Sequence, residues 1–416
     1  MKSLLRFALV AFGLILTPIS AHAAACSTTA YAKTAGNFSN TTTTWATTSG
    51  GGTACTLTAG NAVVFDGGSG AGSYTIDESI SISSLTTVGA TAGIFLLHNT
   101  SDTLTINNTT SSTTFNLSGV SYCNANPCTA PVSSARAIAF TNTGGTVSIT
   151  AGSSTTSPYN QLGTVTFNGS GGTFELLDNA ILQGTPAFTA GTIDLTTNNP
   201  TVTFGTTLTI PAVGILNCGT GTLVFTSSIV SFTTTSGATI ACSTGTFNFS
   251  TAANGAMRTF SATATGSSAS FGTVIINTAG ATGISRFYFS TTSGLTITIG
   301  TFTLTNAGNV PLSMLFSSNT GITFTNLPTT LSGTSGNFIS FIGSDTATTE
   351  TITLPASSPL ALNWNMFCNI TFAGASSPVT ATNSIDLCGV PASPFNGGSI
   401  SAPTFGVGGG YHIIGG

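Results

Sequence analysis

Charge is what this 416-residue sequence has least of. Only 4% of its residues are Asp, Glu, Lys or Arg, against roughly a quarter in ordinary soluble domains. Amphipathic helices carry Glu, Lys and Arg on their outer faces, so this shortage argues against a helical protein. The basic residues number six and are scattered along the chain. A nucleic-acid surface needs clustered Lys and Arg, so we expect no nucleic-acid partner.

Long apolar runs are also missing beyond the first residues. Residues 1–23 have the form of a secretory signal peptide, because Lys2 and Arg6 precede an apolar stretch and Ala21-His22-Ala23 fits the cleavage pattern. That stretch is shorter than the ~20 residues that a membrane-spanning helix needs, and no later segment qualifies. We therefore expect a secreted or cell-surface protein, bacterial in origin, with no transmembrane segment after signal cleavage. Lipid attachment at Cys26 is an alternative anchor.

What the chain does contain is Thr, Ser, Gly and Phe. It has 50 Gly and 28 Phe, and 40% of its residues are hydrophobic, which is enough to build a core. One short phrase recurs, in which a turn glycine and a threonine open a strand with large apolar residues at every second position. Clear examples are Gly163-Thr164-Val165-Thr166-Phe167, Gly221-Thr222-Leu223-Val224-Phe225 and Gly245-Thr246-Phe247-Asn248-Phe249. The pattern predicts an all-β protein of short strands and tight turns.

The spacing of these phrases indicates a solenoid. They recur mostly every 18 to 30 residues or so, which suits one coil of stacked strands, and we expect an average of about 22 residues a coil. We predict an N-terminal β cap with the first coils over residues 24–120, β-helix repeats over 121–390 and a Gly/Pro-rich tail over 391–416. Trp45 is expected to close the open end of the core, with an exposed sugar-stacking role as the alternative. His98 follows the apolar run Ile94-Phe95-Leu96-Leu97 and is expected to begin a turn.

Eight cysteines in an exported chain predict disulfides. They fall into four sequential couples, and the absence of a nearby His argues against zinc at Cys123 and Cys128. The last two couples lie about one coil apart, and stacked strands bring Cα atoms within disulfide range. The expected pairs are Cys26–Cys55, Cys123–Cys128, Cys218–Cys242 and Cys368–Cys388.

The Gly-Thr-apolar-x-apolar phrase resembles the coils of exported bacterial right-handed parallel β-helix proteins, especially adhesins and autotransporter passengers. The run Ala59-Gly60-Asn61-Ala62-Val63-Val64-Phe65, with Tyr74-Thr75-Ile76-Asp77, is similar to the segment that opens many such helices. The resemblance implies a right-handed parallel β-helix (β-solenoid) with a non-catalytic structural or adhesive role. Glycans or other copies of the same chain are the partners that we expect.

Enzymes on β-helix scaffolds often cleave polysaccharides with clustered carboxylates, so the resemblance also implies an alternative. Glu175, Asp178 and Asp194 form the candidate catalytic cluster of a polysaccharide lyase or glycosidase. Glu175 and Asp194 occupy the same place in phrases one coil apart, which puts them close to the ~5 Å carboxylate separation of retaining glycosidases. The same two carboxylates are a candidate calcium site, the single cofactor that we consider.

A third possibility is ice binding by Thr-x-Thr phrases stacked on one flat face. The phrases in question are Thr201-Val202-Thr203, Thr207-Leu208-Thr209, Thr296-Ile297-Thr298, Thr301-Phe302-Thr303 and Thr351-Ile352-Thr353. Outward threonine is also the default on a charge-poor strand. The irregular coil length argues against a flat lattice, and we expect the structural or adhesive role to be the main one.

Overall fold

The computed structural model describes residues 23–40, 42–90, 93–99, 101–109, 111–126, 128, 135–153, 161–227, 231–250, 257–262, 269–278, 285–291, 296–305, 311–317, 321–328, 331–343, 350–355, 360–374 and 379–388. The predicted signal peptide, apart from Ala23, and the predicted tail lie outside these residues. Every regular element in the described part of the chain is a β-strand.

The first eighteen strands are β1 Thr29–Ala32, β2 Gly36–Asn37, β3 Trp45–Ala46, β4 Ala54–Cys55, β5 Ala62–Asp66, β6 Gly72–Ile76, β7 Ile80–Ile82, β8 Ser84–Val88, β9 Ile94–His98, β10 Thr103–Ile106, β11 Thr113–Asn116, β12 Ser121–Cys123, β13 Ala137–Phe140, β14 Thr146–Thr150, β15 Thr164–Leu176, β16 Ala180–Leu182, β17 Ala187–Asp194 and β18 Thr201–Phe204. They are followed by β19 Leu208–Ile210, β20 Gly214–Asn217, β21 Thr222–Phe225, β22 Ser231–Thr234, β23 Thr239–Ser250, β24 Met257–Ala262, β25 Ala269–Asn277, β26 Ser285–Thr291, β27 Thr296–Thr305, β28 Leu312–Phe316, β29 Gly321–Phe324, β30 Ile339–Gly343, β31 Glu350–Leu354, β32 Leu360–Asn363, β33 Asn365–Cys368, β34 Ile370–Gly374, β35 Val379–Thr382 and β36 Ile385–Asp386.

These strands form a parallel β-solenoid, as the sequence predicts, with three faces. Face 1 is the parallel stack of β1, β5, β8, β11, β14, the second halves of β15 and β17, β20, the first halves of β23, β25 and β27, then β29, β31 and β34. Face 2 includes β16, β18, β21 and the second halves of β23, β25 and β27. Face 3 includes β19, β22, β24, β26, β28, β30, β33 and β36.

The turns vary in length more than the sequence suggests. Here a turn means one complete coil of the solenoid. The coil from Phe174 to its register partner Ile193 is short, whereas the coil from Phe115 to its partner Ile149 is much longer. The expected average coil length therefore describes the shorter turns alone. Strand pairing survives because the differences in length fall between the strands, which keep their period-2 pattern.

Phenylalanine fills the interior in stacked columns. Phe204, Phe225 and Phe249 are register neighbours, and successive ring centroids lie 5.4 and 4.8 Å apart with nearly parallel planes. Phe lacks a polar group, so it packs in a dry core without needing a hydrogen-bond partner. A small void is lined wholly by apolar side chains, namely Phe167, Leu176, Leu182, Ile193, Leu195, Val202, Phe204, Leu216 and Leu223. Such a void stays dry.

The N-terminal end has a different pairing. Strand β3 runs antiparallel to both β1 and β4, whereas the strands within each of the three faces are parallel. Trp45 on β3 is fully buried, packs edge-on against Phe38 and Phe65, and its Nε1 donates to the Phe38 carbonyl at 3.2 Å. Its burial confirms that Trp45 belongs to the core and rules out an exposed sugar-stacking role in this structure.

The four predicted disulfides are all present. They are Cys26–Cys55, Cys123–Cys128, Cys218–Cys242 and Cys368–Cys388, with Cα–Cα distances of 4.9, 5.5, 4.8 and 5.0 Å. Asn217 pairs with Ala241, so Cys218 and Cys242 continue that register and join adjacent turns. Because Cys26 is bonded to Cys55, it has no thiol available for a lipid in this structure.

Candidate functional site

Glu175 and Asp194 are direct neighbours on face 1. The parallel register pairs them across β15 and β17, and both side chains are partly exposed on the outer surface. Neighbouring strands lie about 4.8 Å apart, so the predicted adjacency of these two carboxylates is present. The inward residues on either side, Phe174 and Ile193, are buried and anchor the two strands.

Hydrogen bonds occupy both carboxylates. Ser148 Oγ on the preceding turn donates to Glu175 Oε2 at 3.0 Å, and Thr197 Oγ1 donates to Glu175 Oε1. Asp194 Oδ1 accepts from the backbone N–H of Thr196 at 2.9 Å, a local turn contact. Glu175 therefore links three successive turns of the solenoid.

Asp178 has a separate position at the corner after β15. Its two carboxylate oxygens accept from the backbone N–H groups of Ala151 and Gly152, each at 2.7 Å, so it ties one corner to the corner below. Burial raises the pKa of Asp178, and the two N–H donors act in the opposite direction. The structure thus pairs Glu175 with Asp194 and shows Asp178 bonded elsewhere. The catalytic assignment stays a prediction.

Metal binding has no further support from side-chain grouping. Among the described residues, no three His, Cys, Asp or Glu side chains are grouped as a metal site would require. Calcium usually takes six to eight oxygen ligands. The surface around Glu175 and Asp194 would contribute carboxylate and hydroxyl oxygens to such a set. Calcium at Glu175 and Asp194 stays an untested hypothesis.

A second candidate is a set of outward threonines on face 1, here called the threonine array. In-register pairing aligns two columns on β27, β29, β31 and β34. The first column runs Thr296, Gly321, Thr351, Thr371, and the second runs Thr298, Thr323, Thr353, Ala373. Between the columns lie buried Ile297, Ile322, Ile352 and Phe372.

The array keeps an unbroken strand register although the solenoid turns that carry it differ in length. Ile297, Ile322, Ile352 and Phe372 follow one another at unequal intervals along the chain, yet the pairing shows no shift among these strands. The irregular coil length therefore leaves the register of the array intact, and the expectation that it argues against a flat lattice stays a prediction. Strand spacing sets one repeat at about 4.8 Å, and alternate residues along a strand set the other at about 6.6 Å.

The hydroxyl groups of the array are free to bind something else. In the part of the chain that the structure describes, the six array threonines have no side-chain hydrogen bond within the molecule. By contrast, Thr209 and Thr233 on face 3 bond to each other at 2.8 Å. A threonine hydroxyl both donates and accepts, so the array offers paired donors and acceptors on a surface without charged side chains in its two columns.

His98 does not begin a turn, contrary to the prediction, because it is the last residue of β9 and is buried. Tyr122 Oη lies 2.7 Å from Nδ1, and Nε2 lies 3.0 Å from the Asp102 carbonyl. A carbonyl only accepts, so Nε2 carries the proton and Tyr122 donates to Nδ1. Burial lowers the pKa of His98 to about 4 and raises that of Tyr122. The period-2 pattern Ile94, Leu96, His98 is the signal that could have predicted an inward His98.

Comparisons with protein families, with curated proteins and with solved structures each find no match. In the described residues, no helix has the length and apolar character needed to cross a membrane. The functional argument therefore rests on the geometry of this chain.

Proposed function

We propose that the protein is an exported structural or adhesive β-solenoid that binds glycans, or other copies of itself, through its neutral hydroxyl surface. The observation that carries this proposal is the threonine array, whose hydroxyls make no hydrogen bond to the described part of the chain. Four disulfides support an oxidising compartment, because such bonds persist outside the cytosol.

The physical basis is multivalency. A single neutral hydrogen bond contributes only about 0.5–1.5 kcal/mol net, so one hydroxyl gives negligible affinity. Six hydroxyls on a rigid lattice engage a repeating partner together, and avidity then exceeds the affinity of any single contact. Sugar hydroxyls and the hydroxyl face of a second solenoid both present repeating donors and acceptors.

The test removes hydroxyls while keeping strand-forming side chains. The array variant carries Thr298→Val, Thr323→Val and Thr353→Val; the control carries Thr222→Val, Thr246→Val and Thr273→Val, a register column on face 2. Binding to immobilised glycans and self-association by sedimentation are measured for both. We expect the array variant to lose at least about tenfold in apparent affinity and the control to retain it. Equal losses, or no binding by the wild type in either assay, would overturn the proposal.

Ice binding is the second candidate, and the unbroken register of the array is the observation that favours it. Threonine methyl groups displace water while hydroxyls anchor it, and a periodic, charge-free face suits an ordered water lattice. Gly321 lies between Thr296 and Thr351 in the first column and has no side chain. Gly321→Thr therefore gives that column an unbroken run of threonines. We expect growing ice to take up the wild type and to take up Gly321→Thr more strongly. Exclusion of both from ice would remove this candidate.

A further inference from the structure

Arg258 is a cation in the dry core of the solenoid. It lies on β24 of face 3 with its side chain inward and fully buried, in register with Phe287 and two residues from buried Phe260. Its guanidinium atoms Nε, Nη1 and Nη2 have no hydrogen-bond partner among the described residues. Burial lowers the pKa of Arg258 to about 10, so the group still carries its charge at neutral pH.

In the residues that the structure describes, no carboxylate lies near Arg258. Between Asp194 and Asp345 the sequence contains no Asp or Glu. Asp194 faces outward on face 1, two turns and about 10 Å along the axis from Arg258, and buried Glu350 lies about four turns or 19 Å in the other direction. An unpaired buried charge costs several kcal/mol, so some other negative charge must offset it.

Ser285 supplies a second unpaired donor beside it. Its Oγ is fully buried and has no hydrogen-bond partner among the described residues. Ser285 precedes Phe287 by two residues on β26, so it shares the inward face and is the diagonal neighbour of Arg258 on the adjacent turn. Diagonal neighbours are about 7–8 Å apart, which an arginine side chain spans.

We propose that Arg258, with the Ser285 hydroxyl, binds a small inorganic anion such as chloride inside the solenoid. The guanidinium gives charge and several N–H donors, and the hydroxyl gives one more. Close-packed cores contain few voids larger than a water molecule, so the proposed ligand is a monatomic ion rather than an organic acid. The bound ion neutralises the interior charge and so stabilises the turns on both sides.

The experiment measures the melting temperature of the whole protein in chloride and in gluconate at one fixed ionic strength. A ligand of the folded state stabilises it by mass action, so we expect the melting temperature to rise with chloride, by about 2 °C per tenfold increase once chloride exceeds its Kd. Gluconate is too large to enter and gives no such rise. Equal melting temperatures in the two salts would overturn the proposal.

Two variants locate the effect. Arg258→Met removes the buried charge and should melt higher than the wild type in gluconate, with no response to chloride. Arg286→Met, at the exposed arginine beside Ser285, should keep the wild-type response. Should Arg258→Met fail to fold, bromide in crystals of the wild type decides the question. Anomalous density within hydrogen-bond distance of the guanidinium supports the site, and its absence there contradicts it.

Discussion

His98 shows how one buried residue sets a dependence on pH. Its folded pKa is about 4, against an ordinary value of 6.5, so the unfolded chain binds the proton more tightly. The free energy of unfolding should fall as pH drops from about 6.5 to about 4, by at most about 3 kcal/mol, and should be fully retained above that window.

Denaturant titrations of the wild type and of His98→Gln between pH 4 and 7 check this. The stability difference between the two proteins should shrink on acidification, because only the wild type loses the contribution of a neutral buried imidazole. Asp178 has a raised pKa and the opposite sign, but it is present in both proteins and cancels. A difference that stays constant across the window would contradict the assignment.

Gly272 shows that a glycine of the repeated phrase serves close approach rather than unusual backbone angles. A Cβ atom there would lie 2.6 Å from the Thr244 carbonyl carbon and 2.7 Å from the Gly245 oxygen of the turn below. We therefore expect Gly272→Ala to lower the free energy of unfolding by about 1–3 kcal/mol. Thr273→Ala, at the adjacent outward position, is the control and should cost less. Similar losses in both variants would refute the steric explanation.

At the scale of elements, polar side chains at corners fix one turn onto the next. Asn179 Oδ1 accepts from the N–H of Thr201, and Asn199 Oδ1 accepts from the N–H of Thr220, both at 2.8 Å. Asn199 also has a φ of 50°, a conformation that Asn tolerates better than most residues. These contacts satisfy backbone groups that the strands leave unpaired where the chain changes face.

The disulfide that joins Cys218, the residue after β20, to Cys242 on β23 belongs to the same scale. Cys218 and Cys242 are both fully buried and 24 residues apart, whereas Cys123 and Cys128 are buried and only five apart. Loop-closure entropy predicts that replacing the first pair by Ala costs about 3.5 kcal/mol and replacing the second about 2 kcal/mol. Chemical unfolding of the two double variants checks the order. A larger loss from the Cys123 and Cys128 pair would contradict it.

The sequence could predict which residues of a strand point inward, but it could not predict which strands lie beside each other. The alternation in Gly163-Thr164-Val165-Thr166-Phe167 places Val165 and Phe167 inside, and both are buried. Four sequential cysteine couples were enough to predict the disulfides. Period-2 patterns do not say which strand lies beside which when turns differ as widely in length as those that follow Phe115 and Phe174. The threonine array and the surroundings of Arg258 therefore emerged only from the register.

At the scale of the whole molecule, register turns a repetitive sequence into distinct surfaces. Face 1 carries Glu175 beside Asp194 at one level and the threonine array at another, with the same buried apolar columns behind both. One rigid parallel stack can thus hold a carboxylate pair and a hydroxyl lattice without a separate domain for either. The proposed adhesive role depends on this alignment more than on any single residue.

The most direct test of that alignment is disulfide trapping within the array. Thr323 and Thr353 are register partners on β29 and β31. The natural disulfide Cys218–Cys242 likewise joins residues on adjacent turns. The variant Thr323→Cys/Thr353→Cys should form a fifth disulfide, detected by mass spectrometry of peptides, because stacked Cα atoms lie within disulfide range. Thr298→Cys/Thr353→Cys, two turns apart, should not. Cross-linking of the second pair and not the first would show that the turns are stacked in a different register.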